Sequence, residues 1–258
     1  MFTRPTSLLR RLPLAALCVA VALGLATPSG FADARAETPL ADIDRATIET
    51  IVREYLMEHP EIIGEALTAL QQREELAEQE RQRQAVVALN DQIYDPSAPF
   101  MGNPDGDVTL VEFFDYQCGY CKRVLDTVFE ATESDPGLRV VFKEFPILGP
   151  VSVVAAQASL ASRNQGLYTE FHHALMAYRG QLSEEAIYTV AAEIGLDVGQ
   201  LREDMKAPEI RDEIAENRRL AGQIGIRGTP AFVIGDTVAP GAQSLQALQS
   251  LIEKARAS

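Results

Sequence analysis

Cys118 and Cys121 stand with two residues between them in VEFFDYQCGYCKR (111–123), where an apolar run gives way to a helix-forming one. Such a pair is a structural staple, half of a metal site, or a reagent. A disulfide between them closes so small a loop that it would constrain the unfolded chain little. Zinc takes four ligands, and beyond these thiols and Cys18 the chain offers only His59, His172 and His173, with no second C-x-x-C. Lys122, not histidine, follows Cys121, which excludes c-type haem attachment. The reactive reading has a mechanism: a cysteine in the first turn of a helix faces unpaired N–H groups and the positive end of the helix dipole. Both favour the thiolate, the attacking species. Lys122, four residues after Cys118 on the same helix face, would either assist that thiolate or stand as an ordinary solvated lysine. Gly119 and Tyr120 bring the thiolate no cationic help, so a mild oxidant is expected.

The elements that must hold the pair can be read around it. VTLVEFF (108–114) reads as a strand, a helix follows from about Cys118 to Ala131, and LRVVFKEF (138–145) reads as a second strand. Strand, helix and strand at this spacing predict a parallel βαβ unit. From 151 to 224 every apolar pattern is helical, and after Gly228-Thr229-Pro230 two short strands, AFVIG and TVA, precede a helix from Ser244 to Ala255. The fold class is therefore α/β with a helical insertion. Ahead of it, apolar residues recur at helical spacing from Ile43 to Leu70 in two blocks divided by His59-Pro60. QQREELAEQERQRQ (71–84) is too polar to be buried as a helix and predicts a solvent-bridging spacer. Asp95-Pro96-Ser97-Ala98-Pro99 is a turn or linker signal, which places the main domain boundary near residue 95.

Compartment decides what cysteines are for. Arg4, Arg10 and Arg11 precede an apolar stretch from about Leu12 to Ala26 and small residues through Ala36, the layout of a secretory signal peptide over residues 1–36. The apolar stretch falls short of the roughly 20 residues that cross a bilayer, so a membrane anchor is not expected. Cys18 would leave with the signal, and Cys118 and Cys121 would be the remaining cysteines. The formal net charge of −14 becomes more negative still on cleavage, which sets nucleic acid and anionic lipid aside as partners.

Cys118-Gly119-Tyr120-Cys121 after VEFFDYQ, then FKEFP, then GTPAFVIG, in this order around a helical insertion, resemble DsbA-type thiol-disulfide oxidoreductases of the thioredoxin superfamily. The resemblance covers roughly residues 95–257, and the helices of 37–95 look like the oligomerisation segment of the suppressor-of-copper-sensitivity C branch. It implies a thioredoxin fold with a helical insertion at about 150–226, preceded by an α-helical extension. Cys118 would then be the exposed nucleophile and Cys121 the buried resolving cysteine. Thr229 and Pro230 would form a cis-proline dipeptide that lies against the pair and, with Gly119 and Tyr120, meets the substrate.

Glu112 interrupts the first strand where such proteins often keep an acid beneath the buried cysteine; burial would raise its pKa and let it take the proton of Cys121. Lys143, in the neighbouring strand, could pair with it. Position 120 departs from the histidine of the best-known oxidases, which puts oxidase strength in question. No cofactor is implied beyond the redox-active Cys118–Cys121 disulfide. The implied partners are protein thiols or disulfides, a membrane redox partner that is an oxidase or a reductase, and a second or third copy of the chain, all in the periplasm. A different class of function, a non-catalytic holdase or a Cu(I)-sequestering module using two soft thiolates, remains the alternative.

Overall fold

The structure, a computed structural model, describes residues 44–257. The expected signal peptide lies outside the described residues. Two compact units meet between Pro60 and Glu61. In the first, α1 (Arg45–Glu58) is capped by Asp44, whose Oδ1 accepts from the Thr47 N–H at 2.8 Å. Ile48, Ile51, Val52 and Tyr55 form an exposed apolar stripe along it, and none of its side chains is buried.

The second unit begins with α2 (Glu61–Ala88), which runs unbroken through the polar stretch expected to be a spacer. Ion pairs one turn apart, Arg81–Glu78 at 2.5 Å and Arg83–Glu80 at 2.9 Å, line that stretch. Its C-terminal end is not a free spacer. Val86 is buried, Gln82 Nε2 donates to Ile224 O at 2.9 Å, and Arg83 lies 3.5 Å from Asp236. The boundary expected near residue 95 therefore falls inside this unit, because the last turns of α2 supply part of its core.

α3 (Asn90–Ile93) leads into β1 (Phe100–Gly102), β2 (Val108–Phe114), α4 (Gly119–Ser134) and β3 (Leu138–Glu144). The insertion follows as α5 (Pro150–Ala161), a short 3-10 turn, α6 (Tyr168–Ala177), α7 (Glu184–Glu193), α8 (Val198–Asp204) and α9 (Pro208–Gln223). β4 (Ala231–Ile234), β5 (Thr237–Pro240) and α10 (Leu245–Arg256) complete the order. The sheet runs β1-β3-β2-β4-β5, with β2 and β3 parallel and every other pair antiparallel. The expected βαβ unit and C-terminal hairpin are present. The three-residue edge strand β1 was not foreseen from the sequence.

Helices cover both faces of the sheet, which is why β2 and β3 are buried along nearly their whole length, with Glu112, Arg139, Lys143 and Glu144 held inside among apolar neighbours. Leu110, Phe114, Val140, Phe142, Phe232 and Ile234 face the larger core, shared with α4, α10 and the insertion. Val111, Phe113, Val141 and Val233 face the smaller one, closed by Val86, Ile93, Leu220 and Ile224. Register assigns the charged strand residues to these faces. Glu112 lies opposite Phe142, and Phe113 opposite Lys143.

Candidate active site

Helix α4 starts directly after Cys118, so the cysteine is its N-cap: backbone extended (φ −72°, ψ 113°), side chain accepting from the Cys121 N–H at 3.4 Å. The amphipathic pattern of α4 places Cys121, Val124, Leu125 and Val128 against the sheet, which fixes the start of the helix at the C-terminal end of β2. Facing Cys118 is the loop before β4. The Thr229–Pro230 peptide is cis, and Cys118 Sγ lies 3.2 Å from Thr229 O, to which it donates only while it keeps its proton.

The electrostatics divide the two sulfurs. Cys118 is lowered to about 5, first by the hydrogen bond from the Cys121 thiol, against the opposing cost of burial. The Thr229 side chain and the N–H groups of Cys121 and Tyr120 assist. Cys121 is pushed far upward, first by burial and then by the hydrogen bond it gives Cys118 and by the charge of Glu112. One sulfur is thus a thiolate at neutral pH while its neighbour keeps its proton. Both cysteines are free thiols, and Cys118 is only 5% exposed. The nucleophile is recessed, not exposed as the resemblance implied, because the turn before it and the Thr229–Pro230 loop close over its sides.

Glu112 is buried and raised to about 8, chiefly by burial and secondarily by the charge on Cys118. It shares the face of the larger core with the cysteine pair. Lys143 does not pair with it. A one-residue offset between neighbouring strands sends side chains to opposite faces, and Lys143 reaches the smaller core. There its Nζ donates to Gln92 O at 3.0 Å, near the carboxylate of Asp95. Lys122 does not reach the thiolate either. Its Nζ donates to Tyr178 O at 2.6 Å and Leu175 O at 3.3 Å, holding the C-terminal end of α6 against α4.

Two features of the site escaped the sequence reading. Asp115, buried just before the catalytic turn, accepts from Gln117 N at 2.7 Å and Ser152 Oγ at 2.7 Å through one oxygen. Its other oxygen accepts from Ile147 N at 2.8 Å and Leu148 N at 2.9 Å. Behind it lies a buried polar cluster in which Tyr116 and Tyr168 each donate to Glu144 Oε1 at 3.1 Å, and the Tyr116 hydroxyl also meets Ser159 Oγ and His172 Nδ1. Burial pushes the Glu144 carboxyl well above the usual carboxylate range and the His172 imidazole down to about 3, so the histidine is neutral. His172 packs in the core, between Phe142 and Tyr168. Polar residues inside the otherwise apolar stretches FFDYQ and FKEF were the available signal. Among the described residues no group of three or more His, Cys, Asp or Glu converges as metal ligands would.

A solved thioredoxin-like oxidoreductase from Silicibacter pomeroyi is 46% identical and superposes with a TM-score of 0.64 over 65% of this chain and 98% of that one. Salmonella enterica Typhimurium BcfH is 31% identical, with a TM-score of 0.72 over 82% of this chain and 95% of its own. The Na(+)/H(+) antiporter NhaA 1 of Salinispora arenicola is 28% identical over 186 residues, 68% of this chain; the chain spans only 28% of that protein's length. Residues 44–77 match the copper resistance protein ScsC N-terminal domain. Residues 109–253, carrying the cysteine pair, the insertion and the cis-proline loop, match the DSBA-like thioredoxin domain, and the chain belongs to that family.

Proposed function

We propose that this protein is a periplasmic thiol-disulfide oxidoreductase that exchanges disulfides with protein substrates through a mixed disulfide at Cys118. The observation that carries the reading is the division of labour between the sulfurs, a recessed thiolate at the N-terminus of α4 beside a buried, protonated thiol. In the reducing direction the Cys118 thiolate attacks a substrate disulfide. One S–S bond forms, the substrate's own S–S bond breaks, and one substrate thiolate leaves. Cys121 then attacks the sulfur of Cys118, releasing the second substrate thiolate and closing the protein disulfide. Its proton must go somewhere, and Glu112 is the acceptor in its ionised form, which becomes more populated once the mixed disulfide removes the Cys118 charge that helps raise it to about 8. The oxidising direction reverses these steps. Holding Cys118 as thiolate stabilises the reduced form and so makes the disulfide form an oxidant.

The exposed apolar stripe of α1, together with Ile63, Leu67 and Leu70 on α2, supports association with further copies of the chain, and a membrane oxidase or reductase would reset the pair. No helix among the described residues is long and apolar enough to cross a membrane.

The test is refolding of a disulfide-scrambled protein and oxidation of a reduced one, with the unsubstituted protein and Cys118→Ala. Turnover is expected to vanish with the thiolate; turnover that survives the substitution rejects the mechanism. Light scattering before and after the paired change Ile48→Glu and Val52→Glu reports the association, with a fall in mass expected.

A further inference from the structure

Helix α5 reads PVSVVAAQASLA and is apolar where it is buried, except at Ser152 and Ser159, both wholly buried. They stand seven residues apart, two helical turns, and so share one face. A buried hydroxyl is costly unless it is hydrogen-bonded, and alanine is the better helix former, so the fold of α5 alone gives no reason for either serine. Both hydroxyls reach the same place, the three residues between β2 and Cys118. Ser152 Oγ donates to Asp115 Oδ1 at 2.7 Å and accepts from Gln117 Nε2 at 2.8 Å. Ser159 Oγ meets the Tyr116 hydroxyl at 2.7 Å.

The first set of contacts closes a ring around the residue before the nucleophile. Asp115 Oδ1 accepts from Gln117 N at 2.7 Å, so Gln117 is held at its main chain by the carboxylate and at its side chain by the serine that the carboxylate also holds. Cys118 N in turn donates to Asp115 O at 2.9 Å. Lys122, in the first turns of α4, is tied to the insertion as well, through Leu175 O and Tyr178 O. The sulfur of Cys118 depends on this placement. N–H groups at the start of α4 stabilise a thiolate only where it lies along their own directions, and hydrogen bonds weaken steeply as they bend.

Resting on the oxidoreductase reading above, we infer that Ser152 and Ser159 position the turn that carries Cys118, so that the helical insertion, and not the sheet alone, sets the seat of the sulfur at the start of α4. Both are positioning residues, acting through Asp115, Gln117 and Tyr116.

The test uses the full chain. In the reduced protein, the rate of Cys118 alkylation against pH gives the ionisation midpoint of that sulfur, with the modified cysteine identified by mass spectrometry. Equilibration with glutathione gives a second readout. Glutathione thiolate attacks Cys118 of the protein disulfide and Cys121 leaves; a second glutathione thiolate then attacks the glutathione sulfur, Cys118 leaves as thiolate, glutathione disulfide forms and the protein pair is reduced. A less stabilised Cys118 thiolate draws this equilibrium back towards the protein disulfide by the factor by which its ionisation falls.

Ser152→Ala should raise the midpoint by about half a pH unit and shift the glutathione equilibrium about threefold, the size of one weakened hydrogen bond. Combined with Ser159→Ala, the shift should reach about tenfold. Gln117→Met, at an exposed position where folding is not at stake, cuts the same ring from its other side and should move both readouts in the same direction. Gln165→Ala removes two hydrogen bonds that lie wholly within the insertion, one to Asp197 O and one from Asp197 N; it should lower stability and leave both readouts unchanged. Readouts unmoved by Ser152→Ala or by Gln117→Met overturn the positioning role while leaving the exchange reading intact. An equal shift with Gln165→Ala does the same, since it would mark a general loosening. An unsubstituted protein whose Cys118 ionises like a free cysteine, or whose disulfide does not exchange with glutathione, overturns the exchange reading and the positioning role with it.

Discussion

Glu112 and Lys143 occupy adjacent strands, and each is nearly fully buried, at 4% and 5% exposure. They nonetheless belong to different worlds. Glu112 faces the core that carries the cysteine pair, where burial and the nearby thiolate raise it to about 8, poised to exchange a proton at neutral pH. Lys143 faces the other core, where burial lowers its ammonium but Gln92 O receives its hydrogen bond and Asp95, Glu213 and Glu216 offset the cost. Its reach to Gln92 ties the segment after α2 onto the sheet. A single step of register thus separates a group that can do chemistry from one that holds the scaffold.

The sharpest way to break this contrast is to neutralise each residue in turn. Glu112→Gln keeps shape but removes the proton acceptor. Resolution of the mixed disulfide at Cys118 should slow by about 10- to 100-fold, the lower part of the range for general base catalysis, while its formation is little changed. Trapped protein–peptide conjugate, quantified by mass spectrometry, reports this directly. Lys143→Ala should do the opposite. Losing the packed stem and leaving Gln92 O unpaired should cost about 2–3 kcal/mol in chemical denaturation. Exchange rates should stay within about twofold. A large rate effect from Lys143→Ala with no loss of stability would restore the ion pair that register forbids.

The pH dependence of stability sharpens the contrast further. Glu112 is raised from 4.5 to about 8 on folding, so between these values the folded state binds more protons than the unfolded, and stability falls as pH rises. Cys118 is lowered from 9.0 to about 5, so between these values the unfolded state binds more protons and stability rises with pH. In the reduced protein the two trends oppose one another from about 5 to about 8. In the disulfide form the cysteine does not titrate and the decline remains. Burial, the larger cause of the raised Glu112 carboxyl, persists in the disulfide form while the Cys118 charge does not, so melting temperatures there should fall as pH rises above 4.5 and level off below about 8, and Glu112→Gln should remove that fall. A flat profile in the unsubstituted disulfide form would mean that Glu112 is not held protonated.

Much of this was legible in the sequence because it depends on local pattern. The apolar-rich seven-residue strands β2 and β3 and the amphipathic α4 each announce themselves over one element. Cys118 at a helix start needed no knowledge of the rest of the chain. What was lost depends on pairing across distance. The face of Lys143 follows from which residue of β2 it meets, and that offset is fixed by the whole sheet. Lys122 could not be placed without knowing that the end of α6 approaches α4, and the Thr229–Pro230 loop that faces Cys118 lies 111 residues away. β1, three residues long, exists because Phe100 and Met101 complete the edge beside β3 and has no periodicity of its own.

The smallest expected effect lies where the scaffold face meets the N-terminal extension. Gln82 donates to Ile224 O, one residue before Gly225, whose φ of 74° a side chain would disfavour and whose missing Cβ leaves room for the Gln82 amide. Both groups belong with Val86 and Ile224 to the side of the sheet that Lys143 serves. Gln82→Ala should therefore remove about 1 kcal/mol, a fall of roughly 2–4 °C in melting temperature for a chain of this size, with exchange unchanged within about twofold. The cis-proline loop begins only a few residues after Ile224, so a tenfold loss of exchange at unchanged stability would show that the end of α2 controls the loop facing Cys118. The separation into a working face and a supporting face would then fail at the one place where the chain crosses between them.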